Sequence, residues 1–338
     1  MSEPEDPSQD DAVPNIDELL ARLASATTPL DALHFAPDIS DLVVGLDPLK
    51  TANLLAGLIT EPRFQANHIR LDWAVRVVLG VAKGHRRPKR RELDALLNDA
   101  LQTARVTRLE DPIEDLFVEP LLTRSGDYPI FSGAWEKAAI HTEMLMEAFI
   151  ALPTGEPKAN ALKSVLALLA VSAEIVSRSQ IAPGIVGSGE PFGELVLPSD
   201  DRILRLAARV RFSNSDLVRL NISEGDLEPF FLSMSDTSGI LVNVPGNTPL
   251  EFRPLLKVRD GFIVALPSNI STAVRAHLID IAVEFNLAVS LQRNLLKAQA
   301  NLLMEGGLEA VPISNVRTCE DQIYCEAMKQ ISAGRYLH

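Results

Sequence analysis

Over most of the first 180 residues, apolar positions recur at the spacing of helices. After Pro14, Ile16, Leu19, Leu20 and Leu23 stand at i, i+3, i+4 and i+7, the stripe an amphipathic helix turns toward a core. Asn15, Asp17 and Glu18 suit the positive end of its dipole. Asp47-Pro48 predicts a helix reaching Ile59, with Asp as N-cap and Pro in the first turn. Ile69 to Val81 is apolar on most sides and reads as a helix buried among neighbours. Leu93, Leu96, Leu97, Ala100, Leu101 and Ala104 form a stripe along Glu92 to Val106. Asp111-Pro112 reads as another helix start, running to Val118, and Trp135 to Leu152 and Ala159 to Ser177 complete the set. No fixed-length repeat links these segments, so they predict an irregular array rather than a solenoid.

Residues 181–198 carry four Gly and three Pro and read as a linker. Beyond them the pattern changes. Val210 to Phe212 predicts a short strand, and Ser213 caps a helix over Asp216 to Leu220. Glu251 to Val258 and Phe262 to Leu266 flank Asp260-Gly261, which supplies the positive φ that a tight hairpin needs. Pro267 ends the second strand. A helix capped by Ser268 or Asn269 then runs, with one break, to Met304 ahead of Gly306-Gly307. The expected fold is mainly α: an irregular multi-helix array, then a smaller α+β module with a β-hairpin and a long helix. Its parts are a disordered acidic tail (1–13), a helical domain (14–180), the linker (181–198) and the module (199–338). Ile331 to His338 resembles a turn entering a strand, and an unpaired strand start predicts a truncated module, the chain being part of a longer protein.

Hydrophobic residues make up 46% of the 338, with aromatics at 5%; Leu-, Ala- and Val-rich packing favours helix on helix. The formal charge is −13, and Glu3, Glu5, Asp6, Asp10, Asp11, Asp17 and Glu18 supply seven of the negative charges ahead of any Lys or Arg. The remainder is mildly acidic, which argues against a whole face binding nucleic acid. Cys319 and Cys325 are too few for a secreted disulfide framework and lack the His neighbours of a zinc site. The polar N-terminus resembles no signal peptide, and Lys163 and Glu174 interrupt the apolar stretch Leu162 to Val176. These features predict a cytoplasmic chain with no membrane partner.

The sharpest local feature is Lys83-Gly84-His85-Arg86-Arg87-Pro88-Lys89-Arg90-Arg91. Lys83, Arg86, Arg87, Lys89, Arg90 and Arg91 make it a candidate anion-binding loop, since cations ahead of a helix oppose its dipole unless an anion sits against them. Two other readings stand beside this one: a solvated loop, or one paired with the acidic patch Glu110, Asp111, Glu114, Asp115 and Glu119. No aromatic interleaves the run, so base stacking finds no support. Arg202, Arg205 and Arg209 share a helical face and read as solvated beside Asp200 and Asp201, with Arg211 following.

Gly187 to Gly193 has neither dinucleotide spacing nor the Lys-Ser of a P-loop. His141 and Glu143 are two apart on different helical faces, so neither they nor Glu147 predict a metal site. Met144 and Met146 read as core filling. No catalytic motif is found, and no cofactor or metal is expected.

Three stretches carry a resemblance: Glu110 to Val118 continuing to Ser125–Phe131, Asn247 to Leu255, and Gly261 to Ile270. With the closing Gly334 to His338 they resemble the N-terminal part of long, uncharacterised bacterial proteins. The middle block is also similar to segments placed ahead of restriction-endonuclease-like domains. No catalytic residue can be carried over from this resemblance onto the chain. The function expected is a non-catalytic interaction or scaffold region of a larger bacterial protein, serving a protein partner or downstream domain. The alternative is a regulatory or guiding region of a nucleic-acid-processing protein, touching phosphate through 83–91.

Overall fold

The computed structural model describes residues 42–100, 116–133, 138–181, 194–239 and 249–305. The acidic tail, the helix after Pro14, residues 101–115, the glycine-rich 187–193, both cysteines and the closing turn lie outside them. Helix α1, Pro48–Leu58, begins where Asp47 accepts a hydrogen bond from Lys50 N at 2.9 Å. Pro48 needs no partner for a missing donor in the first turn. A 3-10 turn, Pro62–Asn67, leads into α2, His68–Val81, whose Leu71, Val75 and Val78 are fully buried. α3, Arg90–Asp94, continues as a π-helical turn over Ala95–Ala100.

The next element overturns an expectation. Leu116 to Val118 does not end a helix; it opens β1, Leu116–Thr123, which pairs antiparallel with β2, Gly126–Gly133. Pro120 pushes Glu119 to extended geometry, and it sits opposite Pro129, where neither residue can donate to the ladder. Leu116, Val118 and Leu121 are buried. Their burial follows tertiary packing, which the helical reading of Asp111-Pro112 did not include.

α4, Ala138–Ile150, and α5, Glu156–Ser179, follow. By length and composition α5 is apolar enough to cross a membrane. Here it packs between β2, the 3-10 turn Glu224–Phe230 and a later helix, with Val165, Leu168, Leu169 and Ile175 in the core.

α6, Asp200–Arg209, leads to β3, Arg211–Ser213, and α7, Asn214–Leu220. Ser213 and Asp216 form the capping box that the sequence predicts. The short β4, Phe231–Leu232, and the helical turn α8, Pro249–Phe252, precede the hairpin β5, Leu255–Val258, and β6, Gly261–Val264. Strand order is β3-β6-β5-β4, antiparallel except for the β4–β5 pair. Gly261 has φ 142°, and a Cβ there would lie 2.0 Å from Phe212 O, so hairpin turn and strand packing both require glycine. α9, Ile270–Glu284, breaks at Asn286 (φ 56°) and resumes as α10, Ala288–Glu305.

The fold is therefore mainly helical, with small mixed sheets. One hydrophobic core holds residues from both sides of the expected linker, from Val43 to Leu291. α1 packs on α6, and α9 on α4 and α5. A charged clasp adds to this packing: the Arg178 guanidinium donates to Glu174, Asp216 and Arg211 O and lies 4.4 Å over the Phe212 ring. Arg219 binds the same two carboxylates. Both are held below the usual carboxylate range: Glu174 chiefly by its hydrogen bond from Arg219, and Asp216, against the opposing effect of burial, by Ser213 and the two arginines.

Candidate functional site

The cationic loop leaves α2 and runs beside residues 44–47. Lys83 N donates to Val44 O at 3.0 Å and Asp47 N to Arg86 O at 2.8 Å, with a parallel bridge between Leu46 and Arg86. A Cβ on Gly84 would stand 2.0 Å from Gly45 O, so the two backbones meet where only glycine fits. In an extended segment successive side chains point to opposite sides, and the contacts follow that parity. Gly84 abuts Gly45, and Arg86 pairs with Glu92 at 2.8 Å. Pro88 is buried, and Arg90 donates to Leu197 O at 2.7 Å. Glu92 also accepts from Lys89 N, and the Arg86 hydrogen bond, opposed by partial burial, holds its carboxyl below the usual range.

What separates the other parity is pairing and not exposure, since Arg86 and Arg90 are exposed as well. Lys83, His85, Arg87 and Lys89 are exposed, as is Arg91 in the first turn of α3. None of their side chains forms a hydrogen bond or ion pair among the described residues. Lys89 stands close enough to Glu92 for the two charges to interact. Of the six cations predicted as one anion site, the structure divides four from two: Lys83, Arg87, Lys89 and Arg91 are available, while Arg86 and Arg90 hold the loop in place. His85 joins the outward row. The alternation was present in the sequence, but its meaning depended on knowing that the loop is extended.

Of the acidic patch, Glu119 does not reach this loop; it accepts from Ala139 N at 3.0 Å at the start of α4. Residues 110–115 lie outside the described residues. The second basic set is less solvated than its sequence suggests. Arg202 approaches Glu61 at 3.4 Å and Arg209 donates to Thr60 O at 2.9 Å, both on the turn before α2 rather than on Asp200 or Asp201. Glu143 accepts from Leu122 N and Glu147 pairs with Arg124 at 2.8 Å, so these two carboxylates fasten the β1–β2 hairpin to α4. Met146 is buried, consistent with core filling. Among the described residues no group of three His, Cys, Asp or Glu could hold a metal ion.

One charged cluster was missed in the sequence. Arg76 of α2 and Glu251 of α8 form an ion pair of 2.8 Å, both side chains nearly buried. Ser268 Oγ donates to Asp72 Oδ2 at 2.9 Å across 196 positions of sequence. Burial pushes the Asp72 carboxyl up to about 7, with Glu251 adding to the rise and Arg76 and Ser268 opposing it. Chemically this is a carboxyl that holds a proton near neutrality while tying α2 to the turn before α9. A signal did exist: Asp72 and Arg76, at i and i+4, are charged on a helix otherwise apolar on most sides. A shallow cavity of about 480 Å³ lies elsewhere, lined by Lys163, Ser164, Asp226 and Glu228 among others, and the Lys163–Asp226 ion pair of 2.9 Å occupies its charges.

A family model described as anti-phage protein Upx-like matches residues 22–316. The chain belongs to this family. It is an Upx-like anti-phage defence protein, and the cationic row, the clasp and the buried cluster all lie inside the matched range. This corrects the resemblance to the N-terminal part of long bacterial proteins. The blocks at 110–131, 247–255 and 261–270 fall within one family pattern that spans nearly the whole chain. No curated protein and no solved structure matches the chain.

Proposed function

We propose that this Upx-like chain contributes to anti-phage defence as a non-catalytic binding part that contacts nucleic acid through Lys83, Arg87, Lys89 and Arg91. One observation carries the reading: four cations without ion-pair partners among the described residues stand on a backbone segment fixed at both ends, in a chain of net charge −13. Cations that merely kept the protein soluble would need no such anchoring. Against an acidic remainder the row is a local concentration of positive charge that would attract phosphate. The reading places the chain in the cytoplasm, where invading nucleic acid is copied.

The test is binding of labelled DNA and RNA at low and moderate salt, with Lys83, Arg87, Lys89 and Arg91 changed together to Ser. Affinity that falls steeply with salt and disappears in the variant supports the proposal. Absence of binding by the intact chain removes it.

A second observation favours a protein partner. At the α9–α10 corner Val283, Phe285 and Val289 are all exposed, and three large apolar side chains within seven residues fit an interaction or scaffold role. Plaque assays in cells separate the two. Protection lost with the Ser variant and kept with Val283→Ser/Phe285→Ser favours nucleic acid; the reverse favours a partner.

A further inference from the structure

We infer that the row of outward cations follows the sugar-phosphate backbone of duplex nucleic acid without reading its bases. This rests on the nucleic-acid reading above and names the class of ligand for that same surface. An extended segment advances about 3.3 Å per residue, so side chains of one parity recur about every 6.6 Å. That is comparable to the separation of successive phosphates along one strand. Lys83, His85, Arg87 and Lys89 present four such positions, and Arg91 stands just beyond them.

Among the described residues, the segments that form and adjoin the row lack the usual means of gripping single strands. From Ala82 to Ala95 there is no Phe, Tyr or Trp, and none in the adjoining segments 43–47 and 195–199. Single-strand surfaces hold unpaired bases by stacking them on aromatic rings. A duplex keeps its bases stacked on one another and presents twice the phosphate density along its axis. Base readout in the major groove calls for a helix or two-stranded ribbon that protrudes. This segment instead lies along 44–47, pinned by Gly84 against Gly45. Contacts to phosphate alone position a protein on DNA but carry no sequence information.

The experiment uses the full chain and fluorescence anisotropy with three probes: a mixed-sequence duplex, one of its strands alone, and phosphatidylserine–phosphatidylcholine vesicles. The duplex is expected to bind about tenfold more tightly than the single strand. Changing the duplex sequence should alter affinity by no more than about twofold. With four phosphates neutralised, log affinity against log salt should have a slope of about −3.6, and Lys83→Ser or Arg87→Ser should each reduce its magnitude by about 0.9. Circular dichroism confirms that these surface variants remain folded.

Equal or tighter binding of the single strand overturns this inference and leaves nucleic-acid binding standing. So does a slope that neither substitution changes. Binding to vesicles without binding to duplex, or to no probe, overturns both readings.

Discussion

The Arg178 clasp and the 83–91 row are both arginine-rich and both at the surface, yet they treat charge in opposite ways. Arg178 spends its guanidinium on Glu174, Asp216, a backbone carbonyl and the face of Phe212. Arg219 completes the pairing on the same carboxylates. That cluster ties α5 to β3 and α7, and the charges are consumed by the fold. In the row, two cations are consumed in the same manner, Arg86 on Glu92 and Arg90 on Leu197 O. The other four are left over, on a backbone that those two hold still. Charge that stabilises a fold is paired; charge that serves recognition is positioned and left unpaired. The two regions therefore predict opposite responses to substitution.

The largest effect is expected in the clasp. Arg178→Ala removes several charge-assisted hydrogen bonds and leaves two carboxylates short of a partner, at a cost of about 2–3 kcal/mol. Chemical denaturation measures this, and nucleic-acid affinity should be unchanged. A loss below about 0.5 kcal/mol, the usual range for ordinary surface positions, would show that the clasp is decorative.

Gly84→Ala comes next and cuts across the comparison, because it removes no charge. The added methyl meets Gly45 O and must displace the segment from 44–47. The expected cost is about 1–3 kcal/mol, accompanied by weaker duplex binding. If affinity survives while stability falls, the fixed geometry of the row is irrelevant to binding.

The smallest effect concerns the buried Asp72. Its folded pKa of about 7 lies above the ordinary value of 3.8. The folded state therefore holds more protons than the unfolded chain between those values, and stability falls as pH rises from about 4 to about 7, then levels. Asp72→Asn keeps an acceptor for Ser268 and removes the buried charge. It should flatten that slope and stabilise the protein at pH 8 by about 1 kcal/mol. Thermal melts across pH check this, and a variant less stable than the parent at pH 8 would mean that Arg76 needs the Asp72 charge. His277 acts with the opposite sign. Burial against Phe230 lowers its pKa below the usual histidine value, so its contribution is lost as pH falls through the unfolded histidine range, about 6.5.

Much of the helical pattern was legible because its signals are local. Asp47-Pro48 starts α1, Ser213 and Asp216 box the start of α7, and Asp260-Gly261 turns the β5–β6 hairpin, each within four residues of chain. The β1–β2 hairpin was not legible from Asp111-Pro112, because a plausible helix start says nothing of what Pro120 and the packing of Leu116 and Val118 impose later. The Asp72–Ser268 contact had no sequence signal, since its two residues meet only when α2 and the turn before α9 are brought together.

The 83–91 run shows the same division within nine residues. By itself the sequence determined that six cations crowd one loop and that no aromatic accompanies them. Only the tertiary structure decided which of them are free. The extended course beside 44–47 sets Gly84 against Gly45 and buries Pro88, Arg86 pairs with Glu92, Arg90 at the start of α3 reaches Leu197 O, and Lys83, Arg87, Lys89 and Arg91 are left without an ion pair among the described residues. The physical reason is that a residue's charge is a property of its side chain, whereas its availability depends on which neighbours the fold brings within hydrogen-bonding distance.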